Sequence, residues 1–234
     1  MKLIYSKRII SKRFSPLLQS LNRLDFGNVS TLSEFIAILN GKVDSMELIF
    51  IRHAQGEHTS NLPESLDIRH PGLTEIGKEQ TRLLADQFTL KPEDIVIVSP
   101  TRRTIETANI FTDSLEVKRY ISPLIGPRMF PQNPKWITIE CDEIYSSDDI
   151  KELYKEFEVV DLNEDLWTEG INTINEGLFK ELVERFIDWI KTFKSTVYLI
   201  SHDGTINNYR QILEERDLTR SDFLRETGWY KVIL

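Results

Sequence analysis

Three apolar runs in this chain end in side chains that can do chemistry. Leu48-Ile49-Phe50-Ile51 leads into Arg52-His53-Ala54-Gln55-Gly56. Ile95-Val96-Ile97-Val98 leads into Ser99-Pro100-Thr101-Arg102-Arg103. Val197-Tyr198-Leu199-Ile200 leads into Ser201-His202-Asp203-Gly204. Arginine offers a planar fork of donors that fits phosphate oxygens. A neutral imidazole is a competent nucleophile toward phosphorus. A second imidazole can hydrogen-bond the equatorial oxygens of a group in transfer. Taken singly, each end has an ordinary structural use: a surface Arg-His pair, a Ser-Pro turn, a Ser-His-Asp-Gly helix cap. The functional reading rests on their shared position after three strands.

That position follows from the elements. Continuous apolar runs of this length mark strands buried on both faces. Helical patterns separate them. Thr74 can cap a helix running to about residue 88, and a second helix is predicted from about 101 to 111. A long amphipathic one, from about 174 to 193, repeats its apolar residues every three or four positions. Another follows the third run to about 214, and 229–234 reads as a closing strand. Strands alternating with helices predict an α/β fold, a three-layer sandwich with a mostly parallel central sheet flanked by helices. Ligands of such sheets bind beyond the carboxyl ends of the strands, where the three reactive ends then meet. Helices starting just after the second and third strands aim backbone N–H groups at the same anion. Residues 126–134, with three prolines, read as a long ordered loop beside the site.

The whole chain bounds the partners. Its 234 residues suffice for one large domain with a substantial core. The net charge is −8, divided as +4 over residues 1–45 and −12 over the rest. An acidic body argues against nucleic-acid binding and disfavours highly anionic substrates such as inositol polyphosphates. Attraction for an anion must be local. No stretch approaches the roughly 20 apolar residues that cross a bilayer, so no membrane role is expected. The lone Cys141 allows no internal disulfide and no zinc site built from several cysteines. It suits a reducing compartment, and the expected localisation is cytoplasmic.

Two parts are expected: a basic N-terminal extension over 1–45 with one helix, and a catalytic domain over 46–234. In the extension, Thr31-Leu32-Ser33-Glu34 reads as a capping box and Gly41 as a stop. The stretch before Asp25 is basic, serine-containing and free of acids. A mitochondrial transit peptide, a solvated tail and a start at Met46 all remain open for it.

Together, in this order, the motifs resemble the histidine phosphatase superfamily, also called the phosphoglycerate-mutase-like family. Arg52-His53-Ala54 resembles its Arg-His-Gly signature, and Leu73-Thr74-Glu75-Ile76-Gly77 its Leu-Thr-x-x-Gly. Ser99 to Ala108 is similar to its Ser-Pro-x-x-Arg-x-x-x-Thr-Ala block, and Ser201-His202-Asp203-Gly204 to its Ser-His-Gly-Gly. Ala54 departs from the commoner glycine and points to an Arg-His-Ala-Gln-Gly branch. Asp165-Leu166-Trp167 is similar to that branch too, more weakly. The resemblance spans about 46–234.

What the resemblance implies can be given residue by residue. His53 is the nucleophile that becomes phosphohistidine. Arg52, Arg103 and His202 hold the phosphoryl oxygens, with Arg103 chosen over Arg102 as the fifth position of the Ser-Pro-x-x-Arg block. Glu143, in Asp142-Glu143-Ile144, is the proton donor and later the base, with Glu140 as the alternative. Thr59 stands where the family has a phosphate-contacting asparagine, and can donate one bond. Asp203 replaces a glycine and is expected to turn away from the anion. His58 could contact substrate, though a structural or exposed role is the favoured expectation, and His70 is expected to have no part.

The implied reaction is hydrolysis of a small phosphate monoester through phosphohistidine, with no metal and no cofactor. The expected partner is a small phosphorylated metabolite. Three alternatives stay open. A phosphoglycerate-type phosphomutase is disfavoured because 56–60 lacks the residues that resemblance would require. A catalytically inactive phosphate-binding regulatory protein is the second. A metallohydrolase using His53, His58 and His202 is disfavoured because the step from His53 to His58 is not a helical ligand spacing. Specificity is expected from 55–70 and 123–149, where no pattern is legible. The oligomeric state leaves no legible trace either.

Overall fold

The computed structural model describes residues 46–234 apart from 114, 134, 161, 163–165 and 215. The expected 1–45 extension with its helix, and Asp165, lie outside the described residues. Six strands, β1 (Glu47–Arg52), β2 (Ile95–Val98), β3 (Lys118–Ile121), β4 (Glu158–Val159), β5 (Val197–Ser201) and β6 (Trp229–Ile233), form one sheet. Its order is β4-β3-β2-β5-β1-β6. All neighbours run parallel except β6, which is antiparallel to β1.

The three apolar runs are therefore the adjacent central strands β2, β5 and β1. Their residues alternate between two buried faces, so neither face needs polar side chains. The described α-helices are α1 (Glu75–Ala85), α2 (Arg102–Phe111), α3 (Ser147–Leu153), α4 (Leu166–Glu169), α5 (Glu176–Lys191) and α6 (Asp203–Glu214). Leu48, Phe50, Ile97 and Leu199 face Phe179, Phe186 and Ile190 of α5 and Tyr209 of α6. Ile49, Ile51, Val96, Val98 and Ile200 face Leu84 of α1 and Ile105 and Phe111 of α2. This is the three-layer α/β sandwich expected. Register sets the ends level: Arg52 pairs with Ser201, and Val98 with Ile200.

Some bounds differ from expectation. Helix α1 stops at Ala85, short of 88, and α5 starts at Glu176, where Asn175 caps it by accepting from the Leu178 N–H. Strands β3 and β4 were not expected. Lys118-Arg119-Tyr120-Ile121 is mostly half-exposed and carries no apolar run, and β4 is two residues long.

Helix α1 also holds the loop after His53. Thr74 caps it, accepting from the Gly77 N–H at 3.0 Å, and its hydroxyl donates to Gln55 Oε1 at 2.8 Å. Gln80 Oε1 accepts the Gln55 N–H at 2.9 Å. Gly77 lets the helix touch this loop: a Cβ there would lie 2.1 Å from the Gln55 carbonyl oxygen. Gly77→Ala should therefore force helix and loop apart and destabilise the fold by about 1–3 kcal/mol. Lys78→Ala on the solvent face should change stability by less than about 0.5 kcal/mol. Urea denaturation midpoints of the two variants check the difference.

Candidate active site

The three strand ends converge on a crevice of ≈ 510 Å³. His53 follows β1 and extends its pairing, its N–H donating to the Ser201 carbonyl at 3.0 Å. The ring is almost fully buried. Its Nδ1 lies 2.7 Å from the Ala54 carbonyl oxygen. A carbonyl only accepts, so Nδ1 carries the hydrogen and Nε2 is left with a free electron pair. His202 follows β5 directly, and its ring centroid is 5.1 Å from that of His53. Its Nδ1 is 3.2 Å from Arg103 Nη2, which can only donate. A neutral His202 then holds its hydrogen on Nε2, 2.8 Å from Ser99 Oγ.

Two guanidiniums frame the imidazoles. Arg103, on the first turn of α2, is 1% exposed. It donates to the Cys141 carbonyl at 2.5 Å and to Asp142 Oδ1 at 2.9 Å. Arg102 points elsewhere and pairs with Glu106 at 2.7 Å. Arg52 donates to the Leu224 carbonyl at 2.7 Å and pairs with Asp203 Oδ2 at 3.0 Å. Asp203 thus lines the crevice, contrary to the expectation that it turns away; the Arg52 charge draws it in. Arg52 Nε, Arg103 Nε and His58 Nδ1 are buried and have no hydrogen-bond partner among the described residues.

This setting keeps protons off the rings. Burial first, and then the charge of Arg103, hold His53 and His202 well below the ordinary histidine range. His58 is pushed down to about 3 by burial, then by Arg103 and Arg52. The same positive potential opposes a divalent cation and favours an anion. Among the described residues no group of three or more His, Cys, Asp or Glu is placed to hold a metal ion. Asp142 shifts the other way: burial raises its carboxyl, outweighing the pull of Arg103. Cys141 also lines the crevice, but burial pushes its thiol up to about 11, so it is no thiolate nucleophile at neutral pH.

A family model matches residues 48–126, which contain Arg52, His53, Thr59 and Arg103. That model describes the histidine phosphatase superfamily (branch 1). The resemblance read from the motifs is borne out there. Solved structures of similar fold include the ecdysone phosphate phosphatase from Bombyx mori in complex with tungstate. It is 15% identical, with a TM-score of 0.53, over 80% of this chain and 88% of that one. A phosphoserine phosphatase mutant from Entamoeba histolytica in complex with phosphoserine is 20% identical, with a TM-score of 0.51, over 80% and 94%. The alpha-ribazole phosphatase from Shigella flexneri is 18% identical, with a TM-score of 0.50, over 80% and 89%. They share the phosphoglycerate-mutase-like α/β fold. No curated protein matches the sequence.

Set beside the roles that the histidine phosphatase resemblance implied, the geometry brings His53, His202, Arg52 and Arg103 into one crevice. It does not bring Glu143 there. That carboxylate pairs with Arg69 and lines an adjoining hollow with Thr138 and Ile144. Glu140 is exposed to solvent. Of the three acids at 140–143, the one that lines the crevice is Asp142, one residue before the expected donor. Thr59 lines the crevice, but its hydroxyl donates to the Gly56 carbonyl at 2.9 Å and offers no free hydrogen in this structure. His202 likewise has both ring nitrogens engaged. His58 is neither remote nor exposed: it is half-buried in the crevice, 5.5 Å from His53 between ring centroids. The available signal for it was Gly56. A Cβ there would lie 2.6 Å from His58 Nδ1, so only glycine leaves the ring room to fold back. His70 stacks on Tyr145 at 4.2 Å, outside the crevice.

The three crevice imidazoles give the fold a pH dependence with a definite sign. Their native pKa values lie below the unfolded value near 6.5. Below that pH the unfolded chain binds more protons, so stability falls as pH drops. The limit is about 1.4 kcal/mol per pH unit for each histidine. Asp142, with a raised native pKa, opposes this as a single group. Urea midpoints should therefore fall between pH 7 and 5.5, while the NMR ring shifts of His53, His58 and His202 stay constant. Ring titration near pH 6.5 would contradict the buried neutral assignment.

Proposed function

We propose that this protein is a phosphoric monoester hydrolase of the histidine phosphatase type, acting through a phosphohistidine at His53. The observation that carries the reading is the free Nε2 electron pair of His53, fixed by the Nδ1 bond to Ala54, beside two arginines whose Nε groups lack an acceptor. A bound phosphoryl group supplies the missing acceptors. The solved structures of similar fold are named as phosphatases, in keeping with this reading.

The reaction has two steps. His53 Nε2 attacks phosphorus in line and forms a P–N bond. The P–O bond to the alcohol breaks, its electron pair stays on the alcohol oxygen, and protonated Asp142 gives that oxygen a proton. Water then attacks phosphorus as the Asp142 carboxylate takes its proton, the P–N pair returns to Nε2, and inorganic phosphate leaves. Charge on the phosphoryl oxygens is met by Arg52 and Arg103. His202 holds the Arg103 fork in place through its Nδ1. Asp142 takes the part that the family resemblance suggested for Glu143, because it lines the crevice beside Arg103, where Glu143 does not, and burial raises its pKa.

His53→Ala should lower kcat/KM for 4-nitrophenyl phosphate by roughly a thousandfold or more, in the presence of a chelator. Wild-type-like turnover by that variant would remove His53 from the mechanism. Asp142→Asn should cost about 100- to 10,000-fold on an alkyl phosphate. It should cost less on 4-nitrophenyl phosphate, whose leaving group needs little protonation. Glu143→Gln, which removes only an exposed pair with Arg69, should cost less than about tenfold. A larger loss for Glu143→Gln than for Asp142→Asn would reverse the assignment.

A further inference from the structure

We infer that the alcohol portion of the substrate is apolar: the crevice is built for the monoester of an alkyl or aryl alcohol. This rests on the hydrolase reading and adds the substrate class to it. The charged groups gather at one end, around His53. Much of the rest of the lining is apolar. Leu62, Trp136 and Ile139 are 62%, 41% and 38% exposed, and all three line this crevice with Leu66, Phe130 and Phe223. Single exposed apolar residues are normal on a protein surface. Several converging on one concave site are what marks a recognition surface for an apolar group.

Several polar groups beyond the charged end are already engaged. Asn172 Oδ1 accepts the Met129 N–H at 2.9 Å. Its Nδ2 is turned toward Thr138 Oγ1 at 3.4 Å. Arg128 lines the crevice, but its Nη1 donates to the Ile171 and Ile174 carbonyls at 2.5 and 2.9 Å. Its guanidinium lies 4.1 Å from the Phe179 ring centre, and its buried Nε and Nη2 have no hydrogen-bond partner among the described residues. Arg220 lies over the Phe223 ring at 5.5 Å. A second anionic group on the substrate would meet Arg220 and Arg128 but also the carboxylates Asp142 and Asp203. A phosphate alone leaves much of the ≈ 510 Å³ unfilled, and the wall offers hydrocarbon to fill it.

The test uses ethyl, butyl, hexyl and octyl phosphate, whose leaving alcohols differ little in acidity, with glycerol 3-phosphate as the polar counterpart. Removing a methylene from water is worth roughly a threefold to fourfold gain. The ratio of kcat/KM between octyl and ethyl phosphate should then exceed about 50, and glycerol 3-phosphate should fall with the ethyl ester. Trp136→Ala and Ile139→Ser should each cut the octyl-to-ethyl ratio, roughly tenfold for the larger truncation. In parallel, calorimetry on the wild type measures ethyl- to octylphosphonate, which cannot be hydrolysed at the P–C bond. Turnover with a flat series, or with glycerol 3-phosphate preferred, overturns the apolar site and leaves the hydrolase. Phosphonate affinity that rises with chain length, without turnover of any ester, overturns the hydrolase and leaves the apolar site. Neither turnover nor length-dependent binding overturns both.

Discussion

The Arg103 guanidinium is almost wholly removed from water, and an uncompensated cation there would be strongly destabilising. Three partners offset that cost: the Cys141 carbonyl, the Asp142 carboxylate and His202 Nδ1. Each link has a consequence beyond Arg103. The first two tie the irregular segment around 139–142 to the start of α2, and so fix Ile139 on the crevice wall. The third sets the His202 tautomer and, through it, the bond to Ser99. The charge itself helps to keep His53 neutral, which is the state a nucleophilic imidazole needs. Removing Arg103 would loosen all of these at once, whatever its role toward a ligand.

A level sheet makes the convergence possible. Because β1, β5 and β2 are parallel neighbours in register, the residues just past their ends share one height. Side chains that lie about 100 and 150 positions apart in sequence then meet within hydrogen-bond reach. The apolar residues on both faces do the holding: the strands cannot slip by one position without turning two packed layers inside out.

Much of this was legible in the sequence, for reasons that can be named. The central strands were visible because burial on both faces demands unbroken apolar runs, and α5 because a one-sided core demands helical spacing. Strand β3 was invisible because Lys118 and Arg119 keep it half-solvated, as an outer strand tolerates. At the site, Arg52, His53, Arg103 and His202 were readable because each directly follows a strand or opens a helix, where position dictates direction. The carboxylate was not. Glu140, Asp142 and Glu143 crowd one short turn, and only the turn's phase decides which of them faces Arg103 and which faces Arg69. The burial of His58 was hidden for a similar reason, since its direction depends on the room left by Gly56. The specificity segments expected over 55–70 and 123–149 do supply Leu62, Leu66, Phe130, Trp136 and Ile139. Phe223 comes from a loop that carried no signal.

The placement of Asp142 and Asp203 resolves an apparent conflict in the charge distribution. The body of the chain is strongly acidic, and two of its carboxylates stand inside a crevice proposed to hold a phosphate. With the crevice empty, Asp142 and Asp203 balance Arg103 and Arg52, so neither arginine is left buried and unpaired. When a phosphate dianion arrives, it competes for the same two guanidiniums. Asp203 is partly exposed and can yield Arg52 by turning to water. Asp142 stays within reach of Arg103, the partner it holds at 2.9 Å. Losing part of its hold on Arg103 beside a dianion raises its pKa further, since both changes disfavour the carboxylate. In the proposed reaction, proton uptake by Asp142 would then be coupled to anion binding, and the substrate's own charge would prepare the acid that its leaving alcohol requires.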